Sequence, residues 1–178
     1  QHWDEKFIGN WKQDLVSNFL NRANVNVGSI RPLYSSPPKS RRRASFHLKC
    51  MTNGAIVGFR EHMGHHIISP NGCVVLHPAL MAILPSLQQF AREHFTPGFT
   101  ADIHANLLSS GAENTSERIC LTLNPISNES HLSEDIMTEL VNWAANNKFA
   151  RLSVQQKDSP MTLYSPVMPV VKFGEIEV

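Results

Sequence analysis

Two clusters hold the side chains of this chain best suited to chemistry: Arg41-Arg42-Arg43, and the histidine-bearing run from His62 to His66. Guanidinium forks bind phosphate bidentately, and imidazoles donate hydrogen bonds, stack or ligate metals. Between Arg31 and His66 stand Arg31, Lys39, Arg41, Arg42, Arg43, Lys49 and Arg60 against Glu61 alone, a balance of +6. The whole chain carries +1, so the remaining residues sum to −5. Charge concentrated in this way suits a polyanion, because each neutralised phosphate releases condensed counterions. A solvated basic loop is the ordinary alternative. Three arginines entering a strand favour RNA contact, with Lys39, Arg41, Arg42, Arg43, His47, Lys49, Arg60, His62, His65 and His66 as candidate contacts.

The spacing His62-x-x-His65-His66 invites a metal test. Zinc takes three or four protein ligands, and Glu61 and Cys73 complete a set only if the fold gathers them. RNA phosphate or base edges are therefore the better-supported partners of these histidines. Cys50 and Cys120 sit inside alternating segments, where a small buried hydrophobe is the default reading. Cys73 follows a Pro-Asn-Gly turn and can face outward, yet an iron–sulfur cluster needs about four thiolates. No glycine-rich dinucleotide loop, phosphate-binding Gly-Lys-Ser/Thr or Gly-x-Ser-x-Gly elbow occurs. No residue here is assigned a catalytic role.

The elements that position these groups follow from periodicity. Trp3, Phe7, Trp11, Leu15 and Phe19 stand four apart, predicting an amphipathic helix over residues 3–20 whose aromatics pack. Asn24 to Ser40, with Pro32, Pro37 and Pro38, reads as a linker. Phe46, Leu48 and Cys50 alternate with His47 and Lys49. Asn53-Gly54 supplies the turn, and Ala55 to Arg60 returns as a hairpin. His47 and Lys49 then share the polar face that continues the arginine stripe.

Ser69 to Gly72 forms a turn. A second helix begins at Pro78, burying Leu80, Ile83, Leu84, Leu87, Phe90 and Ala91, with a kink or restart at Pro85. Strands follow at Ala101–Leu107 and Ile119–Leu123, joined around Gly111 and Asn114-Thr115. A helix from about Leu132 to Asn147 starts in a turn rich in Ser and acid, including Ser130, Ser133, Glu134 and Asp135. Ala150 to Val154, Met161 to Tyr164 and Val170 to Val178 add strands. The expected fold is α+β, a mostly antiparallel sheet with helices packed on one face. Residues 1–30 form the N-terminal helix and linker, and residues 31–178 the main domain.

At 178 residues the chain is long enough for a sizeable core. No apolar run nears the roughly 20 residues that span a bilayer, and no leader pattern opens the sequence. Three cysteines, an odd number, argue for a reducing compartment, and a cytoplasmic location is expected. The absence of an initiator Met and the strand-like final residues suggest a piece of a longer polypeptide.

Three ordered motifs carry a family likeness. Arg41-Arg42-Arg43-Ala44-Ser45-Phe46, then Gly58-Phe59-Arg60 through His66-Ile67-Ile68, then Cys73-Val74-Val75-Leu76-His77-Pro78 resemble the central domain of bacterial uracil-5 RNA methyltransferases. The likeness is to the iron–sulfur-containing type that acts on 23S rRNA. Gln1-His2-Trp3 resembles the residues after that family's cluster segment. Val171-Lys172-Phe173-Gly174 resembles the strand leading into its S-adenosylmethionine domain.

The resemblance implies that Cys73 is the fourth ligand of a 4Fe-4S cluster whose other thiolates lie before Gln1. Val74, where the family usually has Pro, is a departure from that pattern. It also implies that S-adenosylmethionine and the catalytic residues belong to a domain absent here. The leading reading is thus an RNA-positioning domain of an S-adenosylmethionine-dependent rRNA uridine-C5 methyltransferase. Its expected partner is RNA, rRNA ahead of tRNA, with no DNA, membrane or oligomer. The fragment alone is expected to be inactive. A stand-alone RNA-binding or ribosome-assembly protein is the alternative, and a histidine-metal hydrolase a distant third. If Cys73 is a cluster ligand, Cys73→Ser in the full-length protein abolishes the brown colour and the bound iron; retained iron rejects the assignment.

Overall fold

The computed structural model of the chain describes residues 4–64, 66–109, 117–126, 132–156, 159–166, 172–173 and 176–177. The chain divides into two compact units, Gln1–Pro37 and Pro38–Val178. In the first, the four-residue apolar spacing forms helix α1 (Glu5–Arg22). Its stripe is not packed away as expected. Phe7, Trp11, Leu15 and Val16 remain about half exposed, and Phe19 is 73% exposed. The residues that follow offer little cover, since Val25, Val27, Leu33 and Tyr34 are exposed too.

In the second unit, β1 (Arg43–Met51) buries Ala44, Phe46, Leu48 and Cys50, while Arg43, Ser45 and Lys49 alternate with them on the exposed side. It pairs antiparallel with β2 (Gly54–Arg60), with Met51 opposite Gly54. The turn is therefore Thr52-Asn53, one residue earlier than the sequence suggests. Only Gly54 adopts the positive φ, at 150°. β2 continues to the short β3 (Ile67–Ile68). The other edge of β1 pairs with β4 (Thr100–Ser109), which pairs with β5 (Glu117–Pro125).

β6 (Arg151–Gln156) joins β5 in parallel, and β7 (Ser159–Tyr164) closes the order β3-β2-β1-β4-β5-β6-β7. The one parallel step follows from the intervening helix, because parallel neighbours need a crossover. β8 (Lys172–Phe173) and β9 (Ile176–Glu177) form a separate pair. The expected turn around Gly111 and Asn114-Thr115 lies outside the described residues.

Two helices cover the apolar side of the sheet. α2 (Pro78–His94) buries Leu80, Ile83, Leu84, Leu87, Phe90 and Ala91, the set that its period requires. It runs unbroken through Pro85, which is exposed, rather than restarting there. α3 (Glu134–Asn146) is capped by the Ser133 hydroxyl, which accepts from the Ile136 N–H at 3.3 Å. Ser130 of the expected capping turn is not among the described residues. α3 buries Leu140, Trp143 and Ala144. Trp143 donates its Nε1–H to Ser86 Oγ at 2.8 Å and packs 5.4 Å from the Phe90 ring, so both helices share one layer. The fold is α+β, as expected from the pattern.

Gly58 sits where β2 and β3 approach too closely for any side chain. A Cβ there would lie 2.2 Å from the Ile68 carbonyl oxygen, a backbone atom that no rotamer change can move. Gly58→Ala should therefore destabilise the fold by about 1–3 kcal/mol, as overpacking does. Urea denaturation checks this, and an unchanged midpoint would show that β3 is dispensable.

Candidate nucleic-acid interface

The arginine segment is held by its backbone. The Lys39 N–H donates to the Val74 carbonyl at 2.8 Å, Arg41 N–H to Val75 at 3.0 Å, and His77 N–H to the Arg41 carbonyl at 3.0 Å. Arg41 and Leu76 form a parallel bridge. Leu76 is 1% exposed and anchors this pairing in the core. His77 then caps α2, its Nδ1 accepting from the Ala79 N–H at 3.3 Å, with Pro78 at the first helical turn. Two motifs more than thirty residues apart in sequence thus become neighbours.

Strand alternation divides the arginine triplet. Arg42 follows the parity of Ala44 and Phe46, so it turns toward the rim of the core. There its Nη1 meets Glu117 Oε1 at 2.7 Å and its Nε donates to the Leu107 carbonyl at 3.3 Å. Glu117 Oε2 also lies 3.6 Å from His77 Nε2. Arg41 and Arg43 take the other side and are exposed. Neither meets a carboxylate among the described residues: Arg41 Nε donates to the Arg43 carbonyl at 3.2 Å, and Arg43 Nε to Asn106 Oδ1 at 2.8 Å. Lys39 and Lys49 are exposed as well.

His47 and Arg60 are brought together, but not as open contacts. His47 lies on the polar face, yet it is 8% exposed. Its Nε2 bonds Arg60 Nη2 and its Nδ1 bonds Asp102 Oδ1. The imidazole thus links Arg60 to Asp102. Arg60 is exposed beyond this contact, with part of its field offset by that carboxylate.

His62 and His66 are exposed on the loop between β2 and β3, which closes through the Glu61 N–H to the His66 carbonyl at 3.0 Å. His65 lies outside the described residues. Among the described residues no group of three metal-ligating side chains forms. Cys50 is buried on the apolar side of β1 and its thiol donates to the Ala91 carbonyl at 3.7 Å. Cys120 is on the opposite side of the sheet and half-buried, because it alternates with Ile119 and Leu121.

Cys73 is half-buried after its turn and lines an open groove of ≈ 620 Å³ with Lys39, Val74, Leu76 and Met81. One thiol fits a single position of a cluster, and among the described residues no group of three or more metal-ligating side chains forms around it.

Glu117, Asp102, His104 and Asn106 complete the polar contacts around β1, and the sequence pattern does not mark them as functional residues. Asp102, His104 and Asn106 were visible as the polar half of the β4 alternation. Their partners were not, because those depend on the β1–β4 register that sets His47 opposite Asp102, Ser45 opposite His104 and Arg43 opposite Asn106.

No protein-family model matches the chain. Over 184 aligned residues it is 28% identical to an uncharacterized RNA methyltransferase of Caulobacter vibrioides, covering 100% of this chain and 41% of that protein. A protein of the same description from Brucella suis is 26% identical, over 100% of this chain and 39% of its own length. One from Zymomonas mobilis is 23% identical, with 100% and 42% covered. The chain therefore spans about two fifths of the length of these curated relatives.

The three thiols differ in access. Burial pushes the Cys50 thiol up, and burial also raises Cys120 despite the opposing charge of Arg151. The thiolate is the nucleophile, so a raised thiol reacts slowly near neutral pH and faster as pH climbs. With iodoacetamide at about pH 8, Cys73 should be labelled first, Cys120 more slowly, and Cys50 only after unfolding. Peptide mass spectrometry reads the order, and early labelling of Cys50 would contradict its place in the core.

Proposed function

We propose that this chain grips and positions RNA for an S-adenosylmethionine-dependent methyltransferase that modifies the C5 position of uridine in rRNA. The observation that carries the reading is the exposed pair Arg41 and Arg43, flanked by Lys39 and Lys49, with no carboxylate partner among the described residues. Exposed guanidinium groups on a fixed backbone are suited to phosphate, which they bind without sequence preference. The relatives that align along the whole chain bear the name RNA methyltransferase, which supports the enzymatic setting. The order of the arginine, Gly-Phe-Arg and Cys-Val-Val-Leu motifs supports the uridine-C5 assignment.

In this reading the methyl donor and the reacting cysteine and base belong to other parts of a longer protein. Cys73 would contribute one thiolate to a structural 4Fe-4S cluster completed from outside the chain, and no step of methyl transfer runs through it. Within the chain, the backbone pairing of Lys39–Arg41 with Val74–His77 would transmit that anchoring to the phosphate-binding arginines.

Fluorescence anisotropy with a labelled single-stranded RNA, repeated across salt concentrations, tests the proposal. Replacing Arg41 and Arg43 together with Ala should weaken binding and flatten the log–log salt slope by about 1.4 units, two phosphate contacts at roughly 0.7 each on a single strand. Arg42→Ala should change the slope less, since Glu117 already meets that charge. A slope unmoved by losing Arg41 and Arg43 overturns the reading.

A further inference from the structure

The side of the sheet opposite α2 and α3 is mainly polar on β1, β4, β5 and β6, with Met51, Ile56 and Leu108 as apolar exceptions at its margins. Register places Arg43, Asn106, Cys120 and Arg151 in one row across β1, β4, β5 and β6. A second row runs Ser45, His104, Thr122, Ser153 and Thr162, reaching β7, with Ser45, His104 and Thr162 exposed and Ser153 buried. At about 4.8 Å per strand, the first row is roughly 14 Å long and the second roughly 19 Å. No Phe, Tyr or Trp occupies this face of β1, β2, β4, β5 or β6.

Charge on this face is one-sided. Its outward positions on those five strands carry Arg43, Lys49, Arg60, Arg118 and Arg151 against Asp102 alone. Asp102 is already engaged by His47. Arg151 Nε is buried and meets no acceptor among the described residues. An unmet guanidinium donor is costly unless an acceptor reaches the group. His104 is exposed, with Nδ1 bonded to Ser45 Oγ at 2.9 Å, and no group among the described residues bonds its Nε2. That ring is held at one nitrogen and exposed.

We infer that this sheet face is the track along which single-stranded RNA lies, with Arg43 and Arg151 as phosphate anchors at its two ends and His104 as the base contact between them. The inference rests on the RNA-binding reading above and extends it from the arginine segment to β4, β5 and β6. Charge complementarity selects RNA over a protein partner, since five cations against one carboxylate leave little to pair with an ordinary mixed-charge surface. With His104 as its one exposed imidazole on these strands and no Phe, Tyr or Trp, the face would hold RNA chiefly through phosphate and hydroxyl contacts, with little sequence preference.

The test uses the full chain and a labelled single-stranded RNA that forms no pairs. His104→Ala should weaken binding at least about five-fold, the lower end for losing one stacked base. Arg151→Gln should weaken it and flatten the salt slope by about 0.7 units, while Arg151→Lys retains the slope. Far-UV circular dichroism melts confirm that the variants are folded.

Wild-type affinity in both His104→Ala and Arg151→Gln overturns the inference and leaves the face to another protein segment. If Arg41 and Arg43 still matter in that case, the broader RNA reading stands. An Arg151→Lys variant that loses as much slope as Arg151→Gln assigns Arg151 a structural role and equally overturns the inference. No RNA binding by the wild-type chain defeats both readings. Photo-crosslinks that map to β4–β6 support the track, whereas crosslinks confined to residues 38–49 oppose it.

Discussion

The alternation of side chains along β1 is the constraint on which the rest of the second unit depends. Successive residues of a strand point to opposite faces. Ala44, Phe46, Leu48 and Cys50 therefore enter the core together, while Arg43, Ser45, His47 and Lys49 are committed to the other side. Because β1 pairs with β2 on one edge and β4 on the other, its parity is imposed on both neighbours. A slip by one residue would place Arg43 and Lys49 in the layer occupied by Phe90 and Trp143, so burial of the helices fixes the polar face as firmly as it fixes the core.

The same parity sorts the basic residues into different electrostatic roles. Arg42, with the core-side set, is drawn to Glu117 at the rim. Arg60 is tied through His47 to Asp102. Arg41 and Arg43 are left with neutral acceptors, a carbonyl and a side-chain amide, which leave their net charge intact. A sequence count of +6 thus overstates the field available to a ligand and misplaces part of it. The surplus instead extends along the sheet to Arg118 and Arg151, outside the basic segment. Pairing surface charges yields little stability, so the sorting matters for recognition more than for folding.

Much of this was legible in the chain because local pattern dictated it. The period of Leu80, Ile83, Leu84, Leu87, Phe90 and Ala91 defined α2, and the strand alternations defined the α+β class. Elsewhere tertiary context decided. Pro85 was tolerated inside α2 on its exposed side, and Trp143 joined the α3 core set through its position three residues after Leu140. The stripe on α1 formed but remained exposed, because periodicity specifies a face without specifying what covers it. The site divided along the same line. Composition marked the arginines, but only the register could reveal that His47 is enclosed between Arg60 and Asp102, or that Arg151 shares a row with Arg43.

The short parallel pairing of Lys39–Arg41 with Val74–His77 closes a loop that contains all of β1, β2 and β3. Its hydrogen bonds connect the entrance of the first sheet strand to the start of α2, so neither can shift without the other. A load applied at the turn preceding Val74 would be felt by the Arg41 backbone through main-chain bonds alone, with no side chain as intermediary. The segment behaves as a buckle, fastening the front of the sheet to the helix layer behind it.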